Sequence, residues 1–390
     1  MVVDVPHPAG YETPDSHTLV VKLNGPDLAL ISRLVYSTRI GYPAPAGYID
    51  QVGEDGIKNR PIGTGPYKLV KADYVAEDIT LEAWEDWGAY WSFRPAVKTV
   101  RLRGIPEETT RIAMLATGEA DLIELGAGPQ LKEVKTGTVR FTPYVGTSFL
   151  EFFKQADPTS PYGNVKVRQA LNYAVNKEEL IEKLLAGAAS PAASPINPLQ
   201  FGYPKDLQPY PYDPVKAKQL LAEAGYAGGF DGGVIFTVSS GQKVQAEAVV
   251  DYLAPVGVRI RVSPIDAGVF YGRFSKPQHS LDQEVGMGFM GSSLPGDGAY
   301  RSESFFSKYG SWGYTVDGEL DSLYDKTLSV VDRAERERLL QSLARLTHEK
   351  AYKLFLWHPQ AVWGLGPRIA DWKPIPGLAS FSRPQSIRLR

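Results

Sequence analysis

Few residues of this chain have the types and spacing that catalysis needs. Two adjacent carboxylate pairs, Glu107-Glu108 and Glu178-Glu179, have the side chains of a general acid and base. Each pair lies in the first turn of a predicted helix, where carboxylates stabilise the positive end of the helix dipole. We therefore interpret both pairs as helix-capping residues and not as a reaction centre.

The chain has no cysteine, and its five histidines are isolated in sequence. Without cysteine there is no thiolate chemistry and no disulfide framework. No H-E-x-x-H, P-loop or G-x-S-x-G pattern occurs. The sequence thus predicts a protein that is not an enzyme and that has no catalytic residues, no metal site and no cofactor.

Residues 286–291 match the letters of a dinucleotide-binding fingerprint, G-x-G-x-x-G. In that fingerprint a helix follows the glycines at once, and its N-terminus holds the pyrophosphate. Residues 292–298 include two serines, a proline and two glycines, which are unsuited to starting a regular helix. We therefore do not expect a nucleotide site here.

Length and charge narrow the possible functions further. With 390 residues the chain is too long for one ordinary core, which predicts two lobes. Lys and Arg number 42 against 44 Asp and Glu, without a concentrated basic stripe, so no nucleic-acid partner is expected. The first ten residues carry no secretory signal, and no segment approaches the roughly 18 continuous apolar residues of a membrane span.

The hydrophobic periods predict alternating helices and strands. A helix over 107–117 should end at Gly118, and Asn176 should cap a helix that reaches residue 185. A strand, a helix and a second strand over 234–262 form a β-α-β unit with parallel strands. Further helices are expected over 164–175, 213–225, 318–330 and 333–350, with a strand over 354–364.

Three ordered signatures carry a family resemblance. They are P-I-G-T-G-P-Y-K-L at 61–69, P-E-E-T-T-R at 106–111 with G-E-A-D at 118–121, and V-K-V-R-Q-A-L-N-Y-A at 165–174. Together they resemble the extracellular solute-binding proteins of family 5, which serve peptide-, nickel- and opine-type ABC importers. The resemblance runs from about His17 to the C-terminus, so the chain looks like a family member that lacks its N-terminal portion.

The resemblance implies an α/β fold of the two-lobed periplasmic-binding-protein type (type II, cluster C-like), with mixed sheets and an incomplete first lobe. Lobe I would combine 1–157 with 364–390, and lobe II would be 158–363. Hinge crossovers are expected near 154–163 and 357–364. It also implies a location in the periplasm or on the outer face of the cytoplasmic membrane, with the export signal and any lipoprotein anchor in the missing portion.

The resemblance also implies where a solute binds between the two lobes. Thr147, Ser148 and Phe149 would face the solute from the first lobe. The second lobe would contribute Phe289, Met290, Ser292 and Ser293. Trp357 and His358 match the aromatic pair at the return crossover. Each aromatic residue has an equally simple interpretation as part of the core.

Two departures from the family pattern bear on the solute. Peptide-binding members carry an Asp after the Gly-aromatic pair, which neutralises the amino terminus of the peptide, whereas this chain has Ser292. The Arg that some of them carry ahead of the pair corresponds to Gly286. Burying an unpaired ammonium is costly, so these changes favour a neutral or polar solute, such as a glycoside, an oligosaccharide or a blocked peptide. Asp297 would keep a free peptide possible if its loop were rearranged.

The leading hypothesis is a monomeric binding component of an ABC importer. It captures an oligopeptide, glycoside or similar small solute without chemistry and delivers it to the permease subunits. A solute-sensing regulatory module of the same fold is the alternative from another class. A third possibility is a truncated fragment that does not bind ligand.

Because one wall of the site would be incomplete, we expect the isolated chain to bind solute weakly and to be poorly soluble. Calorimetric titration and thermal melting test this expectation. Sub-micromolar affinity together with one cooperative melting transition would contradict it.

Overall fold

A computed structural model describes residues 8–28, 30, 45–86, 94–275, 285–292, 297–308, 310, 312–375, 377 and 383–390. The chain forms two compact units, one from the described parts of 1–37 and 145–359 and the other from those of 38–144 and 360–390. The units change over at 37/38, 144/145 and 359/360, whereas the lobes predicted from the sequence change over at 157/158 and 363/364. The lobe limits remain a prediction.

The helices of the described residues are mostly short and amphipathic. They are α1 (Ala46–Asn59), α2 (Glu108–Thr117), α3 (Val165–Ala174), α4 (Lys177–Leu185), α5 (Pro214–Glu223), α6 (Ser240–Leu253), α7 (Ala267–Phe274), α8 (Gly298–Phe306), α9 (Gly318–Ser329) and α10 (Arg333–Glu349).

Side-chain caps fix where several of these helices begin. The side chains of Asn176, Asp213 and Asp332 accept hydrogen bonds from backbone N–H groups in the first turns of α4, α5 and α10. Gly118 ends α2 in the left-handed conformation, with φ 76°. The predicted starts of α4 and α10 and the predicted end of α2 are confirmed.

The strands alternate with these helices along the chain. They are β1 (Pro8–Asp15), β2 (Thr18–Leu23), β3 (Tyr67–Asp73), β4 (Asp78–Ala83), β5 (Thr99–Arg103), β6 (Leu122–Leu125), β7 (Thr138–Pro143), β8 (Thr147–Phe152), β9 (Ala189–Pro191), β10 (Phe230–Thr237), β11 (Val258–Pro264), β12 (Gly286–Ser292), β13 (Lys353–Leu365), β14 (Ile369–Asp371) and β15 (Arg388–Leu389).

In the first unit a mixed sheet has the strand order β11-β10-β12-β8-β13, with the short β9 also paired to β13. Strand β10 is parallel to both β11 and β12, whereas β8 is antiparallel to β12 and β13. Helix α6 joins β10 to β11, as a parallel connection requires. The predicted β-α-β unit is therefore confirmed. Strands β1 and β2 form a separate hairpin.

Aromatic rings fill the core of this unit. Phe153 stacks on Phe274 with ring centroids 4.5 Å apart. Of the glycines in the G-x-G-x-x-G pattern, Gly286 and Gly288 are buried in β12, whereas Gly291 is exposed. A Cβ atom at Gly286 would lie 2.4 Å from the Val234 carbonyl oxygen, and one at Gly288 would lie 2.9 Å from the Phe153 ring. Gly286 and Gly288 allow close packing of β12, and the strand continues past Gly291 to Ser292.

The second unit has smaller sheets of its own. Strands β3, β4 and β5 form an antiparallel sheet, and β14 pairs with β15. The C-terminal half of β13 pairs with β6 and β7, both antiparallel. Its core contains Trp363 and Trp372, whose rings meet edge to face at 4.9 Å.

A fully buried ion pair links β8 to β13 in the first unit. The side chains of Glu151 and Lys353 are both 0% exposed and form a salt bridge. Gln155 donates to the Glu151 carboxylate at 2.9 Å, and Lys353 donates to the Phe305 carbonyl at 3.1 Å. Burial raises the pKa of Glu151 to about 7 and lowers the pKa of Lys353. Each charge therefore depends on the other to remain inside the core.

Removing one member of this pair should destabilise the fold strongly. We expect K353M to lower the free energy of unfolding by about 3–5 kcal/mol, because it leaves the Glu151 carboxylate buried without a cation. The double variant E151M/K353M should lose less free energy of unfolding than K353M alone, because it leaves no unpaired charge in the core. Urea denaturation followed by circular dichroism measures both.

The exposed pair between Arg345 and Asp206 supplies the control, and R345A should cost less than about 1 kcal/mol. Equal losses for K353M and R345A would contradict the assignment of a dependent buried pair.

Candidate functional site

Three neighbouring strands, β12, β8 and β13, hold most of the residues that the sequence marks as solute-binding. Phe149 of β8 lies directly opposite Met290 of β12. Ser148 lies opposite Gly291 on one side and Trp357 on the other. These residues are brought together by backbone pairing between segments about 140 and 210 residues apart in sequence.

One expectation about these strands is wrong. The segments 147–149 and 289–293 were expected to face each other from different lobes. Strand β8 instead pairs with β12 along its length, so 147–149 lie beside 289–292 in one sheet of one unit. The physical reason is that β8 fills the place between β12 and β13, and no local pattern in the sequence marks that long-range pairing.

Alternation along the strands divides the predicted residues between two faces of this sheet. The tryptophan face carries Ser148, Phe289 and Trp357. The rings of Phe289 and Trp357 lie 6.5 Å apart, and both side chains are buried. Ser148 lies on β8, the strand between those of Phe289 and Trp357, and is half-buried. This face combines two buried aromatic side chains with one half-buried serine.

The histidine face carries Thr147, Phe149, Met290 and His358. Phe149 and Met290 belong to the hydrophobic core of the unit, and Phe149 meets the Phe305 ring edge to face at 5.2 Å. All four side chains are buried. A solute-binding role for these four residues remains a prediction, and the residues of the two faces do not form one continuous surface.

Thr147 and His358 form a polar pair on the histidine face. His358 Nδ1 lies 3.0 Å from Thr147 Oγ1 and 3.3 Å from the Gly146 carbonyl oxygen. Thr147 Oγ1 also donates to the Pro195 carbonyl at 3.2 Å. Burial lowers the pKa of His358 to about 4, because the imidazolium form would lose its hydration. His358 is therefore neutral at pH 7.

Ser292, which stands at the position of the family's acidic residue, and its neighbour Ser293 are only partly described. The backbone of Ser292 pairs with Thr147 at the end of β12. Ser293 lies outside the described residues. Both stay predictions as solute contacts.

Asp297, the proposed substitute for the missing Asp, is already engaged. One carboxylate oxygen accepts from the backbone N–H of Ala299 at 2.8 Å, and the other forms an ion pair with Arg336. Both side chains of the pair are less than a tenth exposed. Asp297 thus holds the start of α8 against α10, and in this structure it does not act as a partner for an ammonium group.

Sequence reasoning missed two residues close to the histidine face. Asn197 donates to the Gly146 carbonyl at 2.7 Å, and the Tyr203 ring lies edge to face with the His358 ring at 6.3 Å. Both lie in the segment 186–212, which is rich in alanine, proline and tyrosine. The prolines and tyrosines of this segment indicate an ordered structure, but they do not show which side chains contact β13.

The arrangement offers hydrogen bonds and aromatic side chains. No cluster of three or more His, Cys, Asp or Glu able to hold a metal occurs in the part of the chain that the structure describes. In the same part, no helix is both long and apolar enough to cross a membrane. Neutral polar and aromatic groups of this kind bind small polar solutes.

A cavity of about 1430 Å³ lies elsewhere, within the second unit. Strands β5 and β6 both line it, together with the exposed ion pairs Arg103–Glu119 and Arg368–Asp121. None of the predicted solute-binding residues lines this cavity.

Solved structures show the class of fold. DppA of Helicobacter pylori, solved with the peptide STSA, superposes with a TM-score of 0.75 at 24% identity, over 98% of this chain and 74% of that one. A peptide-binding protein AppA of Clostridium difficile gives a TM-score of 0.83 at 20% identity, over 98% and 78%. The chain has the fold of a two-lobed periplasmic binding protein, which confirms the predicted α/β class with mixed sheets.

Sequence comparison then gives the family. Residues 4–312 match the family model of bacterial extracellular solute-binding proteins, family 5 (middle). Heme-binding protein A of Haemophilus influenzae is 29% identical over 94% of this chain and 67% of its own length. Glutathione-binding protein GsiB of Pectobacterium atrosepticum is 30% identical over 84% and 64%. The chain belongs to family 5 of the solute-binding proteins, and it spans about two thirds of the length of these relatives.

The buried neutral His358 should make stability depend on pH. Its pKa is about 4 in the fold against an ordinary value of 6.5, so the unfolded chain takes up a proton first as the pH falls. The stabilisation is complete above pH 6.5 and is lost between 6.5 and 4, by up to about 3 kcal/mol. Urea denaturation across this range should show a smaller loss for H358N than for the natural chain.

Burial also lowers the pKa of His348. This residue therefore contributes to the pH dependence of stability in every variant. H17N, at an exposed histidine, is the control and should keep the full slope. If H358N had the same slope as H17N, the assignment of a neutral buried imidazole would fail.

Proposed function

We propose that this chain is the solute-capturing component of an ABC importer, which binds a small polar solute and releases it unchanged. The family match over residues 4–312 carries the proposal. Relatives are named for binding glutathione or heme, and solved neighbours were determined with peptides or with agropinic acid. On this proposal the protein works outside the cytoplasmic membrane, as a monomer, with permease subunits as its partners.

The tryptophan face is our candidate for the contact with solute. On this proposal the buried rings of Phe289 and Trp357 form the apolar part of the contact, and the half-buried Ser148 lies beside them. Aromatic faces with a few fixed polar groups are typical of sites that orient a small ligand. The register places Ser148 next to the backbone of Gly291, so a solute at Ser148 would also reach main-chain groups near the end of β12.

The charges near these strands favour a solute without a buried ammonium group. Ser292 stands where peptide binders carry an acidic residue, and Asp297 is engaged by Arg336. Glu151 forms its ion pair with Lys353 inside the core, so its charge is also neutralised. A blocked or internal peptide, or a polyhydroxylated solute, therefore fits better than a peptide whose free amino terminus is buried.

Fluorescence titration of the 390-residue chain tests this function. The probes are the peptide STSA, its acetylated and amidated form, glutathione and maltose. We expect saturable binding of at least one probe, tightest for an uncharged one, with the probe recovered intact by mass spectrometry.

W357L should weaken that binding about tenfold, or ~1.4 kcal/mol, because it removes ring surface from the tryptophan face. W84L, at a tryptophan of the other unit, is the matched control and should leave the affinity unchanged, with thermal melting used to check that both variants fold. No binding of any probe, or consumption of a probe in proportion to protein, would overturn the proposal.

A further inference from the structure

The cavity of the second unit lies between two strands that are not paired with each other. Strand β5 pairs with β4 and strand β6 pairs with β13, and neither has a second strand partner in the part of the chain that the structure describes. All five residues of β5 and residues 122–124 of β6 line the cavity. The free edges of both strands therefore border the same space.

The alternation of hydrogen bonds shows which backbone groups of β5 face the cavity. Ala83 N–H donates to the Lys98 carbonyl at 2.7 Å, and Gly104 N–H donates to the Glu77 carbonyl at 2.8 Å. In an antiparallel ladder every second residue bonds to the neighbouring strand, so the even-numbered residues of β5 bond to β4. The N–H and C=O groups of its odd-numbered residues point the other way, toward the cavity.

The same alternation orients the backbone of β6. Gly366 N–H donates to the Asp121 carbonyl at 2.7 Å, so the odd-numbered residues bond to β13. The backbone groups of Leu122 and Glu124 point away from β13. Arg111 agrees with this orientation, because its side chain donates to the Glu124 carbonyl at 2.9 Å. Leu122 thus presents its N–H and C=O groups to an edge that carries no strand in the described chain.

The cavity has the size and the lining of a site for one strand. Five residues of strand extend about 17 Å, and a strand fills about 5 by 10 Å in cross-section, so it needs roughly 800 Å³. The cavity offers about 1430 Å³. Its lining includes Val100, Ile123 and Trp363, all less than a tenth exposed. Two open edges over an apolar lining suit an extended polypeptide, which supplies both backbone hydrogen bonds and apolar side chains.

The connection between the two strands indicates where an added strand belongs. Helix α2 joins β5 to β6, and strands joined by a helix in this way run parallel when they share a sheet. One strand position is open between them. The longer relatives have chain available to fill such a position, since a third of heme-binding protein A of Haemophilus influenzae lies outside its match with this chain.

We propose that the cavity between β5 and β6 receives one extended polypeptide strand, which hydrogen-bonds to both edges and joins the sheets of β3-β4-β5 and β6-β13-β7 into one. The occupant is a segment of the N-terminal portion that the family resemblance implies, with apolar side chains at alternate positions. The inference goes beyond the proposed function, because it assigns an interaction site in the second unit that contacts no solute.

Hydrogen exchange of the 390-residue chain tests whether the cavity accepts a strand. A strand of about eight alternating valine and threonine residues is fused after Arg390, which lines the cavity, through about ten glycine and serine residues that span roughly 17 Å. We expect the backbone amides of Thr99, Arg101 and Leu122 to exchange about tenfold more slowly than in the natural chain. The amide of Val100, which already bonds to β4, should not change.

A fused strand whose two central residues are proline is the matched control, because proline cannot donate ladder hydrogen bonds. It should leave the exchange of β5 and β6 unchanged. R101P removes one N–H that faces the cavity and keeps the bonds to β4, so the protection of Leu122 should fall about fivefold. R101A loses the same side chain but keeps this N–H and should keep the protection, with thermal melting used to check folding. Equal exchange with both fused strands would overturn the inference.

Photocrosslinking in the protein produced from its complete gene identifies the occupant. These 390 residues contain no cysteine, so T99C gives them a single attachment site for a benzophenone maleimide. Thr99 is exposed and lines the cavity. We expect the crosslink in a peptide that precedes Met1. A crosslink to a second copy of the protein, or only within the 390 residues, would overturn the assignment of the occupant. Neither test involves a solute, so this inference and the proposed function fail separately.

Discussion

The pairing of β8 with both β12 and β13 is the constraint on which the rest of the first unit depends. It brings together backbone segments that are far apart in sequence and sets which side chains share a face. The buried salt bridge between Glu151 and Lys353 reinforces that register, because shifting either strand by one residue would move a charge into an apolar environment. The positions of Ser148 and Trp357 follow from the same pairing.

Local structure could be read from the sequence because it depends on local chemistry. The capping side chains of Asn176 and Asp332 and the left-handed Gly118 act within one helical turn, so their positions in sequence were sufficient. The β-α-β unit was equally predictable, since a helix between two apolar strands requires a parallel connection. The family signatures, which resemble known importer components, gave the fold class.

The arrangement of the site was less predictable. The expectation placed Phe149 and Phe289 on opposite walls, whereas they belong to adjacent strands, on opposite faces of one sheet. The engagement of Asp297 by Arg336 and the approach of Tyr203 to His358 depend on tertiary contacts between distant segments. No periodicity or motif in one sequence encodes such contacts, so the grouping of these residues could not be predicted from it.

The absence of a side chain at Gly286 has a consequence for which positions of β12 can be substituted. Because even a methyl group there would collide with the main chain of β10, any substitution would push β12 outward and carry Phe289 and the end of the strand with it. Substitution in β12 is therefore easier near the end of the strand, where a Cβ atom at Gly291 would meet no atom within 4 Å, than at Gly286. The first two glycines of the G-x-G-x-x-G pattern reflect steric crowding, and searches that treat the pattern as evidence of a nucleotide enzyme would misclassify proteins of this kind.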